Sequence, residues 1–500
     1  MGFTSSVFLF CFLPVSLLIC WLSSFFTNKF RFFKSIRFKD AALVFLSLIF
    51  YAWSCADHAV WLLLYAVMIY FLGMLIYKSR DFYLQLPVYH RNGTEYNRVT
   101  PFRLQIAVFL FAILVTTTIL LRYKYSDFIN EILSSSGVRM ESGMMSIAPL
   151  GISFIIFSSI SYLVDIKKGR AQPGNLLDCM MYLTFFPKII SGPIVLWRDF
   201  KPQISGCKIS LNDTISGINR ICIGFAKKVL LADFFGFTIS QIESKGAYGI
   251  DTVTVWITVF LYMLQIYYDF AGYSDIAIGL SNTWGISCKN NFNFPYRSLS
   301  ITEFWRRWHI SLGTWFKEYI YIPLGGNRKG LKRTLMNLAV VFMLTGIWHG
   351  AGWNYILWGA INAAAILTER LIMNKPLYQR IPSFLKWAAT MFVVMLFWQL
   401  FRYPTLQEAV DCICNMFRAH TDPVTYTWRF FLDQKLIFMI LCGTLGGTIL
   451  GSSVVLEKWK KFSQNNIIFI IQELVLLLLM VLSIMSVVSS AYSPFIYFQY

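Results

Sequence analysis

Charge is scarce in this chain. Asp, Glu, Lys and Arg make up 14% of its 500 residues, and the acidic kind is the rarer, 25 against 44 basic. So little charge cannot clothe a soluble globule of this size. Histidine is scarcer still, at five residues. The ten cysteines include no C-x-x-C pair and no Cys/His spacing of a metal site. No metal is therefore expected, and Cys11, Cys20, Cys222 and Cys442 read as small buried hydrophobes. The start lacks a basic leader and a cleavage site, so the first apolar run is expected to be a retained span. MGFTSS fits a myristoylation pattern, but the span that follows makes an added lipid superfluous.

What is present is hydrocarbon-compatible. Apolar residues are 57% of the chain, aromatics 18%, and the mean hydropathy is +0.57. That composition describes an all-α, polytopic membrane protein. The net charge of +19 is no nucleic-acid signal. The basic residues cluster in short loops between apolar runs, as the positive-inside rule requires.

The first apolar runs lie at about Val7 to Phe26, Ala41 to Trp53 and Val60 to Ile76, with a fourth ending near Leu121. Lys29 to Lys39 and Lys78 to Arg103 supply the basic loops, which places them in the cytoplasm and the N-terminus outside. His58 and His90 fall in loops and carry no assigned role. Ser126 to Ser142 reads as an outward loop. Two later runs are broken, one by Pro149 and Gly151, the other by Pro187, Gly192 and Pro193. Irregular backbone at membrane depth must be buried in protein or line a cavity. Lys227 and Lys228 mark a cytoplasmic entry to the next helix. Asp269 and Asp275, inside the span from Val253 to Gly279, are expected to anchor an arginine of the central segment 291–352, because intramembrane charges are usually paired. An ion or solute pathway would also use such charges. No inverted repeat is visible, and both broken runs lie in the first half, which argues against it.

The chain is organised around Asn291 to Gly352. The apolar residues Ile301, Phe304, Trp305, Trp308, Leu312, Trp315, Phe316 and Tyr319 keep helical spacing, which predicts one interfacial helix over 301–319. Thr302 would cap it, and His309 would face its apolar side. Glycines at 325, 326 and 330 then turn the chain. A membrane helix follows from about Thr334 to Trp348, placing His349 roughly 24 Å beyond Arg333. His309 reads either as an interfacial side chain bonded to a carbonyl or as a site residue. An ionisable His349 at membrane depth is by default a functional hypothesis. Gly346, Gly350 and Gly352 around it would admit another backbone or a ligand.

The motifs FWRRWHISLGTWFKEYIYIPLGGN and GIWHGAGWNYILWGAINA closely resemble the membrane-bound O-acyltransferase family, in its bacterial polysaccharide branch. APLGISFIIF, FFPKIISGPI, GFAKKVLLAD, IYYDFAGYSDIAIGL and FIYFQY add support across the chain. The resemblance implies a ring of tilted transmembrane helices with broken or re-entrant helices around a central funnel. It implies one integral domain over 1–500, with N-terminal spans in 1–125, a catalytic core in 143–372 and C-terminal spans in 384–500. The family's near-invariant histidine falls on His349, and the branch's second on His309. A terminal tyrosine that carries the acyl group falls on Tyr500, whose other reading is an aromatic anchor.

The implied activity moves an acetyl group from a cytoplasmic thioester, acetyl-CoA, to an extracytoplasmic polysaccharide such as alginate or peptidoglycan. A D-alanyl transferase is the alternative within the family. His349 would be the base. His309, Asn337 and backbone N–H groups would steady the carbonyl oxygen. Trp305, Arg306 and Arg307, with neighbouring cations, would hold the donor, unless they serve only topology. With no soluble domain to bind a polymer, an extracytoplasmic partner of SGNH type is expected. The setting would be the bacterial inner membrane, crossed many times.

Overall fold

Backbone polar groups in hydrocarbon must bond within their own segment, which leaves so apolar a chain little but helix. The computed structural model describes residues 2–85, 90–91, 94–95, 99–135, 148–204, 209–246, 249–418, 424–452, 455, 457–458, 462 and 465–489. Their regular structure is helical apart from a two-residue ladder, His90–Arg91 with Thr94–Glu95, and one bridge between Ile250 and Tyr426. Nine of the described helices are long and apolar enough to cross a membrane. The protein is an all-α, multi-pass membrane protein. It divides into two compact units, Met1–Ile218 with Ala277–Lys289, and Asn219–Ile276 with Asn290–Tyr500.

The first unit shows which apolar runs face lipid. The helix Arg103–Ser135 buries 17% of its most apolar window. It continues through Ser126–Ser135, where the sequence suggested an outward loop. The broken run behaves in the opposite way: helix Ile152–Lys167 buries 13 of its 16 residues. Gly151 precedes it with φ +70°, and a Cβ there would meet the Ile189 carbonyl oxygen at 2.1 Å. The second broken run is buried throughout from 181 to 197. Both runs are protein-packed walls, as small and interrupted segments should be.

In the second unit a π-helical stretch, Ala226–Ala232, interrupts the helix that ends at Glu243. The lysine pair lies in this stretch, and Lys228 is buried. It is not the surface entry that the sequence suggested. Lys228 bonds Asp269 at 2.7 Å and also Asp233, while Lys227 and Arg220 both bond Asp275, at 2.7 and 2.8 Å. The two aspartates of the span Thr252–Thr283 are therefore paired, but not with an arginine of the central segment. Gly224 and Gly272 allow this: a Cβ on either would meet the other's carbonyl oxygen at 2.7 Å. That close backbone approach brings the basic side chains within reach of the carboxylates.

Gly151→Ala and Gly246→Ala provide a paired test. Both glycines have positive φ, but a Cβ at Gly246 meets nothing within 4 Å. Gly246→Ala should cost only the left-handed backbone term, about 1–2 kcal/mol. Gly151→Ala adds a clash with backbone and should lower the thermal unfolding midpoint in detergent much further. Equal losses would show that the Ile189 contact yields.

Candidate active site

The expected helix over 301–319 is broken at its centre. Helix Ile301–Arg307 ends, Trp308 turns extended, and His309 takes φ 47° and ψ 53° before a second helix, Ile310–Phe316. Ser300, not Thr302, caps the first helix, accepting from the Glu303 amide at 3.1 Å. The Thr302 amide instead donates to Glu369 Oε2 at 3.0 Å.

Asn291 explains the break. Its backbone carbonyl accepts from the Ile310 amide at 2.9 Å, while the Asn293 amide donates to the Arg307 carbonyl at 2.9 Å. Those two bonds recapture groups that a continuous helix would have paired. The Asn291 side-chain oxygen accepts from the Ser311 amide at 3.2 Å and the Ser311 hydroxyl at 2.9 Å, and lies 3.1 Å from His309 Nδ1.

That oxygen fixes the imidazole's tautomer. The Ser311 N–H can only donate, so the atom facing it is an acceptor. Nδ1 must then carry the proton, and Nε2 presents a lone pair. Nε2 is buried and has no hydrogen-bond partner among the described residues. Burial pushes the ring's pKa down from 6.5 to about 3, which keeps it neutral. His309 faces apolar surroundings as expected, with Phe270 at 4.7 Å and Trp348 at 6.3 Å between ring centroids. Its open nitrogen accepts, so the neutral ring has no donor to offer a carbonyl oxygen.

His349 ends the helix Gly330–His349 and is also buried. Its ring lies 4.7 Å from Trp348, 5.1 Å from Trp358 and 5.0 Å from Phe401. Both imidazoles thus pack on Trp348. The glycines near His349 admit protein. A Cβ on Gly346 would meet Gly359 Cα at 2.9 Å, and one on Gly350 would meet the Tyr355 ring at 2.2 Å. The helices Gly330–His349 and Trp353–Ile372 touch backbone to backbone there.

The other candidates divide. Asn337 is fully buried and donates both amide hydrogens to the turn, to Gly326 O at 2.9 Å and Leu324 O at 3.4 Å. It pins the glycine turn and has no donor left for a carbonyl. Trp305 donates to Asn362 Oδ1 at 3.1 Å, with its ring 5.4 Å from Trp358. Arg307 is neutralised by Glu303 at 2.8 Å. Arg306, Arg328, Lys329 and Lys332 are exposed and make no ion pair among the described residues. Tyr497 and Tyr500 lie outside the described residues. No group of three or more His, Cys, Asp or Glu among the described residues is placed to hold a metal. Asn291 and Trp358 carried no signal of their own.

Residues 83–402 match the model of the MBOAT, membrane-bound O-acyltransferase family. A probable alginate O-acetylase from Pseudomonas putida is 36% identical, over 83% of this chain and 80% of its own. A peptidoglycan O-acetyltransferase from Helicobacter pylori is 30% identical over 83% and 79%. A teichoic acid D-alanyltransferase from Bacillus subtilis is 30% identical over 50% and 65%.

Asn291→Ala removes one acceptor from three buried donors. Each unmet donor costs about 1–3 kcal/mol, so the variant should unfold at a clearly lower temperature in detergent. A midpoint equal to wild type would remove Asn291 from its place at the break.

Proposed function

Because the chain belongs to the membrane-bound O-acyltransferase family, we propose that it moves acetyl groups from a cytoplasmic thioester to an extracytoplasmic polysaccharide. That it is a multi-pass membrane O-acyltransferase follows from the family. The two buried imidazoles, packed on one indole within the matched region, support His309 and His349 as its reacting centre.

The chemistry needs few parts. A thioester is already activated. A hydroxyl oxygen attacks its carbonyl carbon while His349 takes the hydroxyl proton. The carbonyl electron pair moves onto oxygen, then returns as the C–S bond breaks and the thiolate takes the proton from His349. A general base is worth about 10²–10⁴-fold. His309 Nε2, an acceptor, takes a hydrogen bond from an amide N–H of the donor's pantetheine arm and so positions the thioester. Arg306, with Arg328, Lys329 and Lys332, holds donor phosphates such as those of acetyl-CoA. The positive-inside rule puts these residues on the cytoplasmic side of a bacterial inner membrane.

The first acceptor is Tyr500 or a hydroxyl on an extracytoplasmic partner of SGNH type, which completes transfer to the polymer. The O-acetylase relatives act on alginate and peptidoglycan by name and align over 83% of this chain. The D-alanyltransferase aligns over half. D-alanine on a carrier protein is accordingly the second donor to test.

Purified protein incubated with labelled acetyl-CoA should consume the thioester, as covalent label on Tyr500 or as slow hydrolysis by water. His349→Ala should slow this by about 10²–10⁴-fold while the protein inserts and stays folded. Wild-type rates in that variant would remove His349 from the mechanism. Arg306→Gln should raise the donor KM about fivefold, the worth of roughly 1 kcal/mol at an exposed charge. An unchanged KM would leave Arg306 a topological role only.

A further inference from the structure

Acyl transfer puts negative charge on the carbonyl oxygen, and preorganised donors aimed at that oxygen lower the barrier. Neither side-chain donor suggested by the sequence is free to act. His309 Nε2 accepts, and the Asn337 amide hydrogens are held by Leu324 and Gly326. Another donor is needed beside His349.

Trp358 meets that need. Its ring stands almost perpendicular to His349, at 85° and 5.1 Å. It is 1% exposed, and its indole N–H has no acceptor among the described residues. Four other indoles of the chain do find acceptors. Trp197 donates to Gln172 O, Trp256 to Met416 O, Trp305 to Asn362 Oδ1 and Trp387 to Tyr296 O, all within 3.1 Å. A buried N–H left unmet is destabilising, and that cost is removed when a bound carbonyl accepts from it. Trp284 and Trp398 share the defect, and the Trp398 ring packs on Trp308 at 4.8 Å and reaches Trp358 only at 6.4 Å.

The backbone holds Trp358 in place. Gly359 follows it and touches Gly346, three residues before His349. The two helices therefore cannot part without losing the contact that sets indole against imidazole.

We propose that the Trp358 indole N–H is a catalytic hydrogen-bond donor to the acyl carbonyl oxygen. The inference rests on the acyl-transfer reading above. As the hydroxyl oxygen bonds to the carbonyl carbon, its proton goes to His349 and the C=O pair goes to oxygen. The indole bond strengthens at that moment. On collapse the pair re-forms C=O, the C–S bond breaks, and the thiolate takes the proton from His349.

The test uses the full chain in detergent with acetyl-CoA and water as the attacking hydroxyl, so that kcat is that of thioester hydrolysis. Trp358→Phe keeps an aromatic ring and removes the N–H. Incorporating 3-benzothienylalanine at position 358 keeps the bicyclic shape and puts sulfur in place of N–H. Both should lower kcat by about 10²- to 10³-fold with the donor KM within about twofold of wild type. Trp256→Phe, whose indole bonds Met416 O, should keep wild-type kcat. A benzothienyl variant with wild-type kcat overturns the proposal, whatever the phenylalanine variant does. So does a change confined to KM, which would mark Trp358 as packing for bound donor. If the wild-type protein leaves the thioester intact, the acyl-transfer reading falls and this inference with it.

Discussion

One side-chain oxygen, that of Asn291, holds the site in shape. It takes the Ser311 amide and hydroxyl, faces His309 Nδ1, and so decides which imidazole nitrogen keeps a lone pair. Without it the interfacial segment would have no reason to stop being a helix at Trp308. A left-handed backbone at a residue that carries a Cβ costs about 1–2 kcal/mol. The surrounding bonds over-determine that conformation, as expected where strain serves a site. The result is an imidazole turned out of helical register, with its acceptor nitrogen buried and unmet.

The second constraint is the glycine contact between the helices that carry His349 and Trp358. Side chains at Gly346 or Gly359 would drive the backbones apart, since a Cβ on Gly359 meets Phe342 O at 2.7 Å. Close backbones leave the large side chains to close around His349: Trp348, Trp358 and Phe401. Aromatic rings suit this work because they are large and rigid and tolerate edge-to-face contact. They leave the His349 ring buried among side chains.

Much of this was legible in the sequence. Apolar run length predicted the spans, since hydrocarbon thickness fixes how many residues a crossing needs. Burial of the proline- and glycine-broken runs followed from unmet backbone groups. His349 stood out because an imidazole at membrane depth is rare, and His309 through the motif that carries the family resemblance. What was not legible was local geometry. Periodicity over 301–319 is continuous through the break, because Trp308 and His309 keep apolar spacing whichever backbone they adopt. Only a long-range acceptor, eighteen residues upstream in Asn291, reveals the turn. Asn337 looked like a donor for substrate because its partners, the carbonyls of a turn, carry no mark in the sequence.

The charges inside the second unit follow the same logic. Arg220, Lys227 and Lys228 face Asp233, Asp269 and Asp275, so three cations meet three carboxylates within bonding distance. The balance matters more than any single pair, because an unpaired ion in hydrocarbon costs several kcal/mol. A span carrying only its aspartates would insert poorly, and a helix carrying only its lysines would fare no better. They become tolerable together, once Gly224 and Gly272 let the backbones meet. The sequence announced that the aspartates need cations. Which cations could not be read from spacing, because the answer lies in where two glycines allow helices to touch. The same device serves both places in this unit: glycine contact first, then the chemistry of large side chains that the contact brings together.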